Sequence, residues 1–285
     1  MTNFVAVQKK LPLDASLRYF FVMAFDLKNK WVLITGASSG FGAAAAVAFG
    51  AAGVRLLLGA RRIDRLEHVA TEAMQAGATV VHFRALDVSQ TASVNAFAEW
   101  AREKIGGGGL HVLINNAGGA LGLDTVAEGK DADWETMMQT NVLGVLRMTR
   151  AALPLIPRDA GASIITVGSH ADRWPYEGGS AYCGVKAAVA QISRVLRLEL
   201  SGTGIRVSLI APGLAETEFS LVRFGGDVAR AKKPYEGTNP LVGQDIAEAL
   251  VWVASRPPHV DIDEMIIKPT DQAAIHKVFR RSAKA

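Results

Sequence analysis

From residue 31 onward the chain alternates short apolar runs with longer stretches of mixed character. "WVLIT" is followed by the Ala-rich "FGAAAAVAFGAAG", then "VRLLLGA", "RIDRLEHVATEAMQAG" and "TVVHFRALDV". The same rhythm continues through "SVNAFAEWAREKI", "LHVLINNAG", "DWETMMQTNVLGVLRMTRAALPLI", "SIITVGS", "AYCGVKAAVAQISRVLRLEL" and "IRVSLIAPG". The short runs are apolar at nearly every position, the pattern of strands covered on both faces, and the longer ones carry helical spacing. Strand and helix in strict alternation predict an α/β fold, a single doubly wound domain in which helices flank a parallel sheet. "GGGG" at 106–109 sits between a helix and a strand with no helix after it, so it is expected to be a turn.

Three stretches fall outside this rhythm. Residues 1–29 are expected to form an N-terminal extension with disorder, residues 30–270 the domain itself, and residues 271–285 a C-terminal tail. Residues 214–240, "LAETEFSLVRFGGDVARAKKPYEGTN" at their core, lack a clear period and follow the carboxyl end of a strand, where open α/β sheets bind ligands. They are expected to be a lid over a site.

Composition narrows the function classes. Of 285 residues 49% are apolar and 20% charged, which suits a well-filled core, and a net charge of +4 with scattered basic residues does not mark a nucleic-acid binder. The single cysteine, Cys183, rules out an internal disulfide framework and multi-Cys metal sites, and six scattered His suggest no metal site. No apolar run reaches the length of a membrane span, and no signal peptide is read in residues 1–30, so a cytoplasmic location is expected. Met23 stands beside Met1 as a second candidate start, with residues 1–22 then dispensable.

Candidate chemistry begins with "SAYCGVK". Tyr182 and Lys186 lie four positions apart, so on a helix they share one face, and an ammonium there would favour the phenolate. Cys183 is expected to point away from that face as a half-buried residue. "TGASSGFG", Thr35 to Gly42, runs from the first strand into the first helix, where a glycine-rich turn brings backbone N–H groups to a pyrophosphate. With "NNAG" at 115–118, "VGS" ending at Ser169, Tyr182 with Lys186, and "PG" at 212–213 in that order, the chain resembles the short-chain dehydrogenases/reductases over roughly residues 30 to 270.

That resemblance implies a Rossmann-like fold and a catalytic group of Asn141, Ser169, Tyr182 and Lys186. Ser169 would hold the substrate oxygen, Tyr182 exchange a proton with it, Lys186 lower the Tyr182 pKa and bind the nicotinamide ribose, and Asn141 hold a water linking Lys186 to solvent. It implies cofactor contacts from Gly36, Ser38, Ser39, Gly40, Phe41 and Gly42, from Asp87 and Val88, and from Asn116, Ala117 and Gly118. Tyr182, Lys186, Pro212, Gly213, Leu214 and Thr217 complete the set. At the end of the second strand "GARR" carries no carboxylate to bond ribose hydroxyls, whereas Arg61 and Arg62 suit a 2′-phosphate, so NADP is the expected cofactor.

"RWPYEGGSAYCGVK", "TEFSLVRFGGD", "DWETMMQTN", "PPHVDI" and "KPTDQ" further resemble the NADP-dependent 3-hydroxy acid dehydrogenases, the group that includes serine 3-dehydrogenase. This implies a homotetramer acting on serine, allo-threonine or 3-hydroxypropionate, or on their oxo forms. Arg173, Glu177 and Glu216 depart from that pattern, and a general carbonyl reductase of a bulkier ketone would use the same four residues. A non-catalytic dinucleotide sensor would be expected to lose the Tyr or the Lys. Arg223 on the lid is the expected partner of a substrate carboxylate, with Ser169 and Tyr182 at its reacting carbon, Gly225 and Gly226 as hinge, and Arg173 as second choice.

Overall fold

The computed structural model describes residues 25–158 and 160–282. Seven strands form one parallel sheet: β1 (Trp31–Thr35), β2 (Arg55–Ala60), β3 (Val80–Ala85), β4 (Leu110–Asn115), β5 (Ser163–Val167), β6 (Arg206–Pro212) and β7 (Glu264–Ile267). Their order is β3-β2-β1-β4-β5-β6-β7. The order reverses between β1 and β4, so the loops leaving those strands diverge and open a crevice at their carboxyl ends.

The apolar runs sort by alternation. Val32 and Ile34 of β1 and Leu56 and Leu58 of β2 face one core, with Phe49 of α1 (Gly40–Ala51), Leu66 of α2 (Ile63–Ala76) and Leu250 of α9 (Gly243–Ala254). Leu33 and Leu57 face the other, with Phe97 of α3 (Thr91–Ile105), Met148 of α5 (Gly144–Ala152) and Leu196 of α6 (Ser180–Glu199). Burial on both faces is why the central strands read as continuous apolar runs. β3 and β7, at the ends of the order, are only partly buried.

Between α4 (Asp131–Met137) and α5 the helix widens into a π turn, Met138–Leu143. Gly106–Gly108 form a single 3₁₀ turn into β4, as expected of the glycine run. The segment 214–240 contains two short helices, α7 (Glu218–Arg223) and α8 (Val228–Lys232). Each is capped by its own residue, Thr217 Oγ1 accepting from Phe219 N at 3.2 Å and Asp227 Oδ1 from Arg230 N at 3.0 Å. Helices of one or two turns show no period in sequence, which is why this stretch had none.

The ends of the domain differ from expectation. Phe25 N donates to Ser255 O at 3.0 Å and Leu27 is buried, so the packed structure begins before residue 30. Residues 1–22 and Met23 lie outside the described residues. The expected tail after residue 270 holds a hairpin, β8 (Gln272–Ala274) and β9 (Lys277–Val278). It is tied to the covering segment: Asp271 Oδ2 accepts from Asn239 N at 2.6 Å, Arg281 N donates to Gly237 O at 2.7 Å, and Asp271 pairs with Arg281. Strands of two or three residues are too short for alternation to reveal. No helix among the described residues is long and apolar enough to cross a membrane.

Candidate active site

The loop from β1 into α1 is shaped by its glycines. Gly36 and Gly40 hold φ of +66° and +55°, and a Cβ on Gly42 would stand 2.4 Å from the Gly36 carbonyl oxygen. A Cβ on Gly36 would meet Ala117 Cα at 2.8 Å, so the first and fourth strand loops touch without side chains between them. Thr35 Oγ1 accepts from Asn116 N and Ala117 N, both at 3.0 Å, and locks the two strand ends together. The result is a cleft of about 300 Å³ at the start of α1, whose unpaired N–H groups favour an anion.

Gly36, Ser38, Ser39, Gly40 and Phe41 form one wall of that cleft, Arg61, Arg62, Asp87 and Val88 the far end, and Asn116, Ala117 and Gly118 the floor. Tyr182, Lys186 and Thr217 close its near end. Gly42 packs behind the loop, while Pro212, Gly213 and Leu214 line an adjoining cavity. Two expectations change in detail. The Asn116 amide nitrogen donates to Thr35 O at 2.9 Å and Gly36 O at 3.2 Å, so its side chain braces the loop and leaves only Oδ1 to meet a cofactor. Arg62 donates to Ser38 Oγ and Ser39 Oγ, the latter at 2.7 Å, and to Glu218 Oε2 at 3.1 Å, so it is not free like Arg61, which stands exposed on the same wall.

Ser169, Tyr182, Lys186 and Asn141 converge from three elements and are all buried. Ser169 follows β5 in extended conformation, its Oγ accepting from Ala171 N at 3.2 Å. Tyr182 and Lys186 are one turn apart on α6, with Nζ 5.8 Å from the Tyr182 ring centre and donating to Val167 O at 3.2 Å. Asn141 sits in the π turn, a widening often found at functional sites. Its Nδ2 donates to Gly119 O at 2.9 Å and Met137 O at 3.0 Å, so both amide protons are committed and only Oδ1 keeps a lone pair for the expected water. A Cβ on Gly118 would stand 2.5 Å from Asn141 Oδ1 and 3.7 Å from Lys186 Nζ, which is why that position is glycine.

The electrostatics correct another expectation. Burial pushes the Tyr182 phenol well above its ordinary value, against the pull of the neighbouring Ser169 hydroxyl and the Arg223 charge. Lys186 is itself pushed down by burial to about 8, with Asp172 opposing, and its ammonium turns to the Val167 carbonyl rather than the phenol. Desolvation outweighs pairing because both groups are buried. Tyr182 therefore holds its proton at neutral pH. Cys183 is partly buried and its thiol is pushed up by burial, as a bystander's would be.

A second cavity of about 380 Å³, lined by Ser169, shares Gly168 and Tyr182 with the first. Arg223 enters it from α7, donating through Nε to Gly122 O at 2.8 Å and through Nη1 to Tyr176 Oη at 2.9 Å. Its guanidinium lies 5.5 Å from the Tyr182 ring centre and 5.4 Å from that of Tyr176. Arg173, the second choice, is bound to Glu264 and Asp172 and has no place at the cavity. Gly225 and Gly226 hold φ of +59° and +92° directly after α7. His170 lines the same cavity as a neutral imidazole, burial lowering its pKa to about 4.

Sequence reading did not single out Thr35, Tyr176 or Glu218 as site residues. Tyr176 lay in a stretch quoted only for its resemblance, and its role depends on Arg223, 47 positions away. The Glu218 side chain reaches Arg62 across 156 positions, a pairing without local signal.

A family model described as short chain dehydrogenase matches residues 30–223. A sulfoacetaldehyde reductase of Chromohalobacter salexigens is 46% identical over 243 residues, 85% of this chain and 94% of that protein. An NADP-dependent 3-hydroxy acid dehydrogenase of Schizosaccharomyces pombe is 41% identical over 258 residues, 90% of this chain and 99% of its own. Among solved structures, the closed form of serine dehydrogenase complexed with NADP+ superposes with a TM-score of 0.79 at 37% identity, covering 88% of this chain and all of that one. The glycine loop, the converging Ser, Tyr, Lys and Asn, and these likenesses agree: the chain belongs to the short-chain dehydrogenase family.

Proposed function

We propose that this enzyme interconverts a short hydroxy acid and its oxo form with NADP(H), the acid group being a carboxylate or a sulfonate held by Arg223. The cofactor fits the first cleft by its residues: a glycine-rich loop at a helix N-terminus for the pyrophosphate and the free Arg61 for a 2′-phosphate. When bound, it supplies or accepts the hydride. Ser169 holds the substrate oxygen, and Tyr182 gives that oxygen its proton in reduction and takes it back in oxidation. Lys186, one turn from Tyr182 on α6, would bind the nicotinamide ribose, and Asn141 holds the floor on which Gly118 and Lys186 meet.

The observation that carries the substrate class is Arg223, a buried-edge guanidinium in the same cavity as Ser169 and Tyr182, with no carboxylate pairing it among the described residues. In 3-hydroxy acids and in sulfoacetaldehyde, on which relatives named above act, the anion stands two bonds from the reacting carbon. One cation set back from Tyr182 serves both. The cavity's size and its apolar lining by Phe219, Phe224 and Ile275 favour a second reading, reduction of a bulkier neutral ketone. The experiment is a panel assayed with NADP(H): serine, allo-threonine, 3-hydroxypropionate, sulfoacetaldehyde and a neutral aromatic ketone. Turnover of the acids ahead of the ketone supports the proposal, and the reverse order supports the second reading.

A homotetramer in the cytoplasm completes this reading. Exposed Leu146 on α5 and Val195 and Leu198 on α6 supply apolar surface for such an assembly. Light scattering on the purified protein tests it.

A further inference from the structure

Glu218 opens the covering helix α7 and spans to the opposite wall of the dinucleotide cleft. There its Oε2 accepts from Arg62 Nη1 at 3.1 Å and its Oε1 from Arg65 Nη1. Arg62 turns its remaining edge to the Ser38 and Ser39 hydroxyls, so the glycine-rich loop, the end of β2 and the covering helix meet in one cluster. Next to it the two walls close to van der Waals range, since a Cβ on Gly40 would lie 3.6 Å from Thr217 Cβ. Phe219 and Val222 of α7 line the cleft beside this junction. α7 is tied at its start by the Arg62–Glu218–Arg65 cluster and at its end by Arg223, which donates to Gly122 O and Tyr176 Oη.

We propose that Glu218 is the latch of the lid, with Arg62 and Arg65 its catch, while Arg61 keeps the role toward the 2′-phosphate given above. Arg61 is exposed on the cleft wall and makes no hydrogen bond or ion pair among the described residues, so its fork is available to a phosphate. Arg62 is already spoken for by two hydroxyls and a carboxylate. A latch of this kind acts on how long either nicotinamide dinucleotide stays bound, whereas Arg61 acts on which one is preferred. The proposal rests on the reading of this cleft as the NADP(H) site. The three latch side chains are about two-fifths exposed, so the latch is weak and salt-sensitive, suited to a lid that opens in every cycle.

The test is the dissociation rate of NADPH and of NADH, followed by the change in their fluorescence after rapid mixing with competitor. It uses the wild type, Glu218→Gln, Arg62→Gln, the double variant and Arg61→Ala. Glu218→Gln and Arg62→Gln each speed release of both dinucleotides by about threefold, the scale of exposed ion pairs, and the double variant is no faster than either. Salt at 1 M brings the wild type to the rate of the variants. Arg61→Ala weakens NADPH by roughly tenfold or more and spares NADH. Tighter NADPH binding with unchanged NADH release in Glu218→Gln would make Glu218 a competitor of the phosphate and overturn the latch. Selective loss of NADPH in Arg62→Gln, or unchanged rates throughout, overturns it as well. A wild type that binds NADPH no better than NADH sinks the NADP reading instead, and the latch is then judged on NADH release.

Discussion

Asn141 and Gly119 exchange two hydrogen bonds across the floor of the cleft, Nδ2 donating to Gly119 O at 2.9 Å and Gly119 N donating to Oδ1 at 3.2 Å. The π turn gives Asn141 the extra reach, and Gly118 leaves room for it. Asn141→Ala would strand the Gly119 and Met137 backbone groups in a buried site. The expected cost is about 1–3 kcal/mol of stability, together with lost turnover as the floor under Lys186 shifts. Denaturant unfolding and kcat on the same preparation check this. An unchanged stability would mean that water replaces the amide without loss.

Tyr182→Phe removes only the hydroxyl from a ring packed edge-on against Phe219 at 5.5 Å. The variant is expected to fold, to bind NADPH and to lose about 10²- to 10⁴-fold in kcat, the usual loss for a positioned proton donor. Wild-type turnover from a folded variant would remove Tyr182 from the chemistry.

Much of this was legible in the chain. Continuous apolar strands encode burial on both sheet faces, Gly36 and Gly42 encode a loop whose Cβ atoms would collide with backbone, and Gly40 a positive φ. Ser169, Tyr182 and Lys186 announced themselves through motif order, and Asn141 followed from the resemblance those motifs carry. What stayed hidden is physical in origin. Sequence spacing placed Lys186 near Tyr182 but carried no measure of burial, which raises the phenol instead of lowering it. It could not tell the free Arg61 from the engaged Arg62, because the difference lies in Glu218, far along the chain. The hairpin of Gln272–Val278 exists through its ties to the covering segment, and strands that short leave no pattern.

Arg61→Asp places a carboxylate where the proposal puts the 2′-phosphate. NADPH should weaken by roughly 10- to 100-fold, the value of one or two charged hydrogen bonds, while NADH changes less than about threefold. Equilibrium titration of both cofactors decides it. Equal weakening would show that Arg61 supports the fold of the cleft and not cofactor choice.

His170 ties stability to pH. Its folded pKa of about 4 lies below the ordinary 6.5 because of burial and then the Lys268 charge. Between those values the unfolded chain takes up a proton that the folded chain refuses. Stability from this residue is therefore complete above pH 6.5 and declines as pH falls toward 4. The melting temperature of the wild type should drop more steeply over that window than that of His170→Gln. Parallel profiles would show that the imidazole charges without cost in the fold.

The central claim is that Arg223 selects a substrate anion, and paired kinetics test it most directly. The measurement is kcat/KM with NADPH for an oxo acid, such as sulfoacetaldehyde or 3-oxopropionate, beside a neutral aldehyde of the same length, in the wild type and in Arg223→Met. The wild type should favour the acid, and the variant should lose roughly 10- to 100-fold on the acid, mainly through KM, while the neutral aldehyde is nearly unchanged. A wild type that prefers the neutral aldehyde, or a variant that loses both substrates equally, would contradict the claim.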